Sequence, residues 1–354
     1  MSRHDKKNVA HSIFQQLLNR ARSNQEDFNL LLSRYGMERF LYRLSISPYN
    51  EQFILKGASL FLIWKGQNYR VTRDADLLGF CDPDLELLAR VFRDICAKEY
   101  KNDGMSYYPD SLTMEEIRED KEYDGVRITL VGLLNQARIP LQIDIGFGDT
   151  VTPAPEDIEY PTLFDSPPPK LKAYPRYTMV AEKMETMLKH GLANSRMKDF
   201  YDIWLLSRLF SFEGSVLRMA IENTFNRRRT PLPETAPFAF TTAFYEDTQK
   251  QAQWKAFVKK SKPDLQVGGL AMVIGDIAIS IEDSEGKRYG SQPIFIRITD
   301  SSGTETDYTD YYATNDGKYE LEIIPALNDL TGIWKVSVRD LTSGTEAFST
   351  FEVK

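Results

Sequence analysis

The sequence predicts an α+β protein: a mixed sheet covered by helices, then a helical second half, then an all-β tail. Three observations predict it. Short apolar strand patterns alternate with helical ones over about the first 150 residues. After a proline-rich stretch the apolar residues recur at helical spacing. Beyond Lys262-Pro263 turn signals recur between short alternating stretches. A length of 354 residues allows two or three domains. They are expected at 1–152, 153–262 and 263–354.

In chain order, Ile13, Leu17, Leu18, Phe28, Leu31, Leu32, Phe40 and Leu41 place helices between Val9 and Leu44, and Ser47-Pro48-Tyr49-Asn50 ends them. Phe53-Ile54-Leu55 is a short strand running into Gly57, and Ala58–Trp64 suits a buried helix. Thr72–Phe80 alternates as a strand and Leu85–Tyr100 as an amphipathic helix. Gly125–Val131 and Ile139–Phe147 read as two paired strands. Pro153–Pro175, with Pro167-Pro168-Pro169, reads as an extended connector rather than a packed element. Val180–His190, Arg196–Phe210, Gly214–Asn226 and Thr241–Phe257 are helical. In the tail, Asp283-Ser284-Glu285-Gly286, Asp300-Ser301-Ser302-Gly303, Asn315-Asp316-Gly317 and Thr342-Ser343-Gly344 mark turns of a small antiparallel sandwich. Leu270–Ile274 suits either its first strand or a last helix of the preceding domain.

Composition excludes several classes. No run approaches the ~20 apolar residues of a membrane span. The charged start, Met1 to Lys7, has no apolar segment after it, so no signal peptide is expected and the expected location is cytoplasmic. Cys81 and Cys96 make neither a disulfide framework nor a zinc site, and His4, His11 and His190 show no metal-ligand spacing. The net charge of -7 sits in the tail. From Lys262 onward 8 basic residues stand against 16 acidic ones, while the chain before it carries 36 and 35. A neutral body with basic clusters can engage a polyanion.

The chemistry-bearing stretch is Lys56-Gly57-Ala58-Ser59, followed after an apolar run by Arg73-Asp74-Ala75-Asp76-Leu77. Side chains two apart on a strand share a face, so Asp74 and Asp76 project together. Carboxylates so placed can hold Mg²⁺, which takes one or two carboxylates plus phosphate oxygens. Asp144, between Ile143 and Ile145, leaves its strand on the face opposite theirs and supplies a third metal-binding carboxylate. Gly57 lets backbone approach phosphate, and the following helix offers free N–H groups to a triphosphate. Ser59 adds a hydroxyl, and Lys56 or Arg73 adds charge. Order and spacing together point to a nucleotidyltransferase using an NTP.

A second constellation lies in the helical half. Lys183 is on one helix, and Arg196-Met197-Lys198-Asp199-Phe200-Tyr201-Asp202 opens the next, with Asp199 and Asp202 on one face. Either this is an exposed helix with intrahelical charge pairs, or Lys183 faces the triphosphate with Asp199 or Asp202 positioning it or a basic neighbour. Arg227-Arg228-Arg229 is either a solvated run or a grip on a phosphate backbone.

These residues resemble the AbiE-type (AbiEii/AbiGii) nucleotidyltransferase toxins of bacterial toxin–antitoxin and phage-defence systems. The resemblance covers about residues 1–260. It rests on Glu38–Ser45, Leu55–Leu60, Arg70–Gly79, Gln142–Asp149, Val180–Lys183 and Arg196–Asp202 in combination. It implies a DNA polymerase β-like fold with a helical C-terminal half. By the same resemblance Gly57 and Ser59 form the nucleotide-binding turn, Asp74 and Asp76 the metal pair, Lys183 the essential lysine, and Asp199 and Asp202 the acidic residues of the last motif. Arg196 and Lys198 join the nucleotide-binding set. Ala58 stands where the family often has a second glycine. The resemblance further implies nucleotide addition to RNA, tRNA acceptor ends above all, and a cognate antitoxin. The tail after about Pro263 resembles an immunoglobulin-like or macroglobulin-like module instead.

The expected activity is Mg²⁺-dependent transfer of NMP from an NTP to an RNA hydroxyl. Two rivals stand beside it, the second from a different class. One is the same chemistry on a small molecule or protein, and the other is a non-catalytic binding protein that recruits its partner through the β tail.

Overall fold

A computed structural model of the chain describes residues 3–66, 69–70, 72, 74–120, 123–233, 237–263, 267–277, 281–282, 288–289, 293–306, 308–313, 319, 321, 330–340 and 346–353. The chain forms two compact units. The first comprises 1–179, 215–228 and 262–265, and the second 180–214, 229–261 and 266–354.

The first unit is built on a seven-stranded mixed sheet. Its elements are α1 (Arg3–Asn24), α2 (Phe28–Ser45), β1 (Phe53–Lys56), α3 (Leu60–Lys65), β2 (Ala75–Gly79), α4 (Leu85–Ala97), β3 (Met105–Asp120), β4 (Tyr123–Leu134), β5 (Ala137–Phe147), β6 (Glu156–Glu159) and β7 (Lys170–Ala173). The strands run in the order β3-β4-β5-β2-β1-β7-β6. β2 and β5 are parallel, as are β1 and β7, and the other neighbours are antiparallel. The expected pairing of the strands at 125–131 and 139–147 is found in β4 and β5.

Two parts of the sheet differ from the sequence reading. β3, a long strand carrying polar residues on both faces, was not legible as one. The stretch 153–175 is not only a connector, because β6 and β7 extend the sheet from within it. Pro169 and Pro175 flank β7 without interrupting it, so no ladder hydrogen bond is lost.

One face of the sheet is the core. On β5, Ile139, Leu141, Ile143 and Ile145 are buried, and Arg138, Pro140, Gln142 and Asp144 alternate with them. α2 lies against β5, and Gly36 brings it close. A Cβ at Gly36 would stand 3.0 Å from Ile139 Cγ2. Asp27 and Asp84 cap α2 and α4 by accepting from the Leu30 and Leu87 amides at 3.0 and 2.7 Å. The matched Glu38–Ser45 segment is internal framework. Arg43 forks onto Asp103 at 2.7 and 3.1 Å and also donates to the carbonyls of Arg39, Lys98 and Met105. Cys96 is buried, which pushes its thiol up to about 12, and Cys81 is half-buried; neither is in a disulfide.

α5 (Arg176–His190) links the sheet to the helical part, and α7 (Gly214–Arg227) belongs with the sheet. The second unit contains α6 (Met197–Leu209), α8 (Thr242–Tyr245), α9 (Thr248–Ser261) and α10 (Leu270–Ile277). Leu270–Ile274 thus resolves as a last helix. Its Leu270, Val273, Ile274 and Ile277 are buried, and it contacts α6. The described tail comprises β8 (Ile281–Glu282) paired with β9 (Arg288–Tyr289). A four-stranded antiparallel sheet follows, ordered β11-β10-β12-β13, from β10 (Pro293–Thr299), β11 (Asp310–Ala313), β12 (Gly332–Asp340) and β13 (Glu346–Val353). Ile294, Ile296, Ile298, Trp334 and Val353 form its core. Of the sandwich expected for the tail, this sheet and the β8–β9 pair are what the described residues contain. The turns at 283–286, 315–317 and 342–344 lie outside the described residues.

Candidate active site

The face of the sheet opposite the core is polar, and strand register sets what stands on it. Asp76 is the register partner of Asp144 across the parallel β2–β5 pair and of Lys56 across the antiparallel β1–β2 pair. Asp144 is paired in turn with Arg127 on β4, and Arg127 with Glu115 on β3. Register partners share a face. Glu115, Arg127, Asp144, Asp76 and Lys56 therefore form one row across five strands, while Ala75, Leu77, Ile143 and Ile145 point into the core. Asp144 is on the Asp76 side, as the alternation around it predicts. Asp74, exposed and two residues before Asp76, feels Arg127 electrostatically.

Gly57 has φ of 78°, and a Cβ there would overlap the Asp76 carboxylate. The glycine is needed because the turn closes directly on Asp76, besides any approach to phosphate. Ser59 is buried, and its hydroxyl donates to the Lys56 carbonyl at 3.3 Å. The following helix does not offer the free N–H groups expected of it. α3 is one short helix, and the amides of Leu60, Phe61 and Leu62 already bond to the carbonyls of Gly57, Ala58 and Ser59. Arg73 lies outside the described residues.

Three residues that carried no role in the sequence reading complete the surroundings. Arg127 donates from Nε and Nη2 to the two Asp144 oxygens at 2.9 and 2.7 Å, and the Gln142 amide reaches both at 3.3 Å. The hydrogen bond to Asp144 is the chief cause that raises the Arg127 pKa, with Asp74 and Glu115 adding to it. Asp149, only 6% exposed, accepts from Lys56 Nζ at 3.3 Å and from the Arg228 fork at 3.0 Å on each oxygen. Arg227 donates to the Gly148 carbonyl. Arg228 is thus held at the end of β5, while Arg227, though it bonds to Gly148, and Arg229 are exposed. The partnership of residues 56, 149 and 228 left no local signal because they are far apart in sequence.

The second unit holds the other constellation. Lys183 Nζ donates to Asp199 Oδ1 at 2.6 Å and pairs with Asp202 at 2.9 Å, and Arg196 pairs with Asp199 at 2.8 Å. Both carboxylates are buried, so this is no exposed helix face. Burial pushes the Asp199 carboxyl up, but Lys183, Arg196 and Lys198 outweigh it and hold the group well below the usual carboxylate range. Lys198 itself is exposed.

Among the described residues no three His, Cys, Asp or Glu gather closely enough to hold a metal ion unaided. Asp144 is engaged by Arg127. Asp74 and Asp76 offer only oxygen donors, with Asp76 beside Asp144 in the register. Such a set fits a hard divalent ion that completes its shell with substrate phosphate.

A carboxylate row on a mixed sheet, closed on one side by a glycine turn, is suited to handling a nucleotide, and the class so defined is the nucleotidyltransferases. The chain belongs to the AbiEii family: the model of the nucleotidyl transferase AbiEii toxin, type IV toxin–antitoxin system, matches residues 39–267. That membership makes it an enzyme acting on an NTP, with an antitoxin as partner. Nucleotidyltransferases of this kind generally use divalent metal ions. No curated protein matches the chain. Two solved structures from Helicobacter pylori are similar to it. JHP933 is 14% identical with a TM-score of 0.41, over 69% of this chain and 87% of that one. A candidate nucleotidyltransferase is 15% identical with a TM-score of 0.38, over 69% and 89%. Among the described residues no helix is long and apolar enough to cross a membrane.

Proposed function

We propose that the protein transfers NMP from an NTP to a hydroxyl of RNA, with tRNA as the preferred acceptor class, and that it does so with Mg²⁺. The observation that carries this reading is the register of Asp76 beside Asp144, with Asp74 next to them and Gly57 closing on Asp76. Asp74 and Asp76 hold the ion, which when bound neutralises triphosphate charge and polarises the α-phosphate. Arg127 and Gln142 fix the orientation of the Asp144 carboxylate beside that pair. Lys56, on the other flank of Asp76 and steadied by Asp149, faces the anionic triphosphate. Lys183, held by Asp199 and Asp202, serves the same activity as the essential lysine, with Arg196 and Lys198 as its basic neighbours. The domain boundaries near 152 and 262 and a cytoplasmic site of action belong to this reading.

Incubation of the purified protein with each labelled NTP, Mg²⁺ and total tRNA tests it. Label should pass to RNA with the wild type and fall by at least about a hundredfold in Asp76→Asn, the scale on which loss of a transition-state electrostatic group acts. Equal transfer by Asp76→Asn, or no transfer with any NTP, would sink the proposal. Label on an added small molecule or on protein alone would move the acceptor assignment to that class.

A further inference from the structure

The polar face continues past the carboxylates onto β3, β4 and β5. Moving away from Arg127, the register brings Thr113 against Thr129, then Tyr108 against Val131, then Arg138 against Leu133. All stand on the Arg127 face. A register shift in β3 between Tyr108 and Thr113 keeps Tyr108 on that side. From Arg127 to the level of Arg138 is six residues of β4, about 20 Å of strand.

Three features of this track look outward. Arg127 spends Nε and Nη2 on Asp144, while its Nη1 takes no acceptor among the described residues, and the side chain is 39% exposed. Tyr108 is 43% exposed, with its ring on the surface of a strand. Arg138 is exposed and forms no ion pair among the described residues. An exposed ring between two arginines, on a sheet face that begins at the reacting carboxylates, matches what a single-stranded polynucleotide needs. Its bases stack on aromatic faces and its phosphates meet cations. The row itself has a direction, with Lys56 on the Gly57 turn side of the carboxylates and Arg127 on the hairpin side.

We propose that the open face of β3, β4 and β5 is the acceptor track. It receives the single-stranded 3′ end of an RNA, with Tyr108 stacking on a base and Arg127 and Arg138 taking backbone phosphates. This deepens the transfer reaction proposed above and rests on it for the identity of the acceptor. Glu115, exposed in the same row, is a carboxylate on this side outside the reacting group, and it opposes the ligand.

The test is equilibrium binding of the full-length protein, without NTP, to a 5′-fluorescein 12-nucleotide RNA with a free 3′ hydroxyl, read by anisotropy. Tyr108→Ala and Arg138→Gln should each weaken binding about tenfold, with thermal melts superimposing on the wild type. Arg138→Gln should also reduce the salt slope by about 0.7. Glu115→Gln should tighten binding, a gain that mere damage to the fold cannot produce. Unchanged affinity in Tyr108→Ala and Arg138→Gln, or no RNA binding by the wild type, overturns the track. The two readings fail separately. A wild type that labels protein or a small molecule but binds no RNA loses the track and the RNA acceptor while keeping the transfer chemistry. One that binds RNA through Tyr108 but transfers no label with any NTP loses only the reaction.

Discussion

Asp149 is the residue on which the cationic flank of the site depends. Its buried carboxylate answers both Lys56 and Arg228. Asp149→Asn should cost about 3–5 kcal/mol, because two cations then lose their buried partner. Urea unfolding measures it, and a loss below about 1 kcal/mol would mean that water already screens the cluster. Gly57 makes a different demand. Gly57→Ala should abolish transfer and also lower the melting temperature, since a Cβ there overlaps Asp76 and the φ of 78° strains any side chain. Full activity in Gly57→Ala would show that Asp76 has room to move aside. Glu38 gives a pH signature. Burial raises its carboxyl to about 7, against the pull of Arg39 and the Leu163 amide. A raised acid binds its proton in the folded state first, so its contribution is full below about pH 4.5 and is lost as pH rises to about 7. Glu38→Gln should flatten the fall in stability between about pH 5 and 7, as followed by denaturant titration at stepped pH.

At the scale of elements, alternation made the site partly legible. Ile139, Leu141, Ile143 and Ile145 announce both a half-buried strand and the face on which Asp144 stands. Asp76 announces its own face, but the strand expected from Thr72 begins only at Ala75, so Asp74 stands on a bend before it rather than on the strand. Which strands lie side by side is not written in either segment, so the Lys56–Asp76–Asp144–Arg127 row was not readable from them. β3 stayed hidden because a register shift between Tyr108 and Thr113 and an exposed Glu116 next to exposed Glu115 break its period of two. β7 stayed hidden because its prolines bracket only four residues. α2 tests how tightly the elements meet. Gly36→Val should cost about 1–3 kcal/mol through crowding against Ile139 and Leu141 on β5, and neutrality in a thermal melt would mean that the helix can shift outward.

Over the whole molecule, the family match stops at residue 267, yet the helical body does not. The Trp254 indole N–H donates to the Gly268 carbonyl, and α10 buries Val273 and Ile274 against its surroundings. Fully burying each such side chain contributes about 1.5–3 kcal/mol. A chain ending at 263 should therefore melt well below the full-length protein, whereas one ending at 280 should retain the helical unit. Equal melting of the two would detach α10 from the body. The acidic tail sheet has its own small core around Trp334, which is why turn spacing alone exposed a change of character near Pro263.

The clasp at Asp149 joins Lys56 to Arg228, positions separated by 172 residues. During synthesis the ribosome delivers the two aspartates and the glycine long before the arginine that finishes the clasp. A nascent or prematurely terminated product that stops short of Arg228 would carry Asp74, Asp76, Asp144 and Asp149 without the guanidinium that forks onto Asp149. The order of translation itself thus delays completion of the clasp until Arg228 has been made.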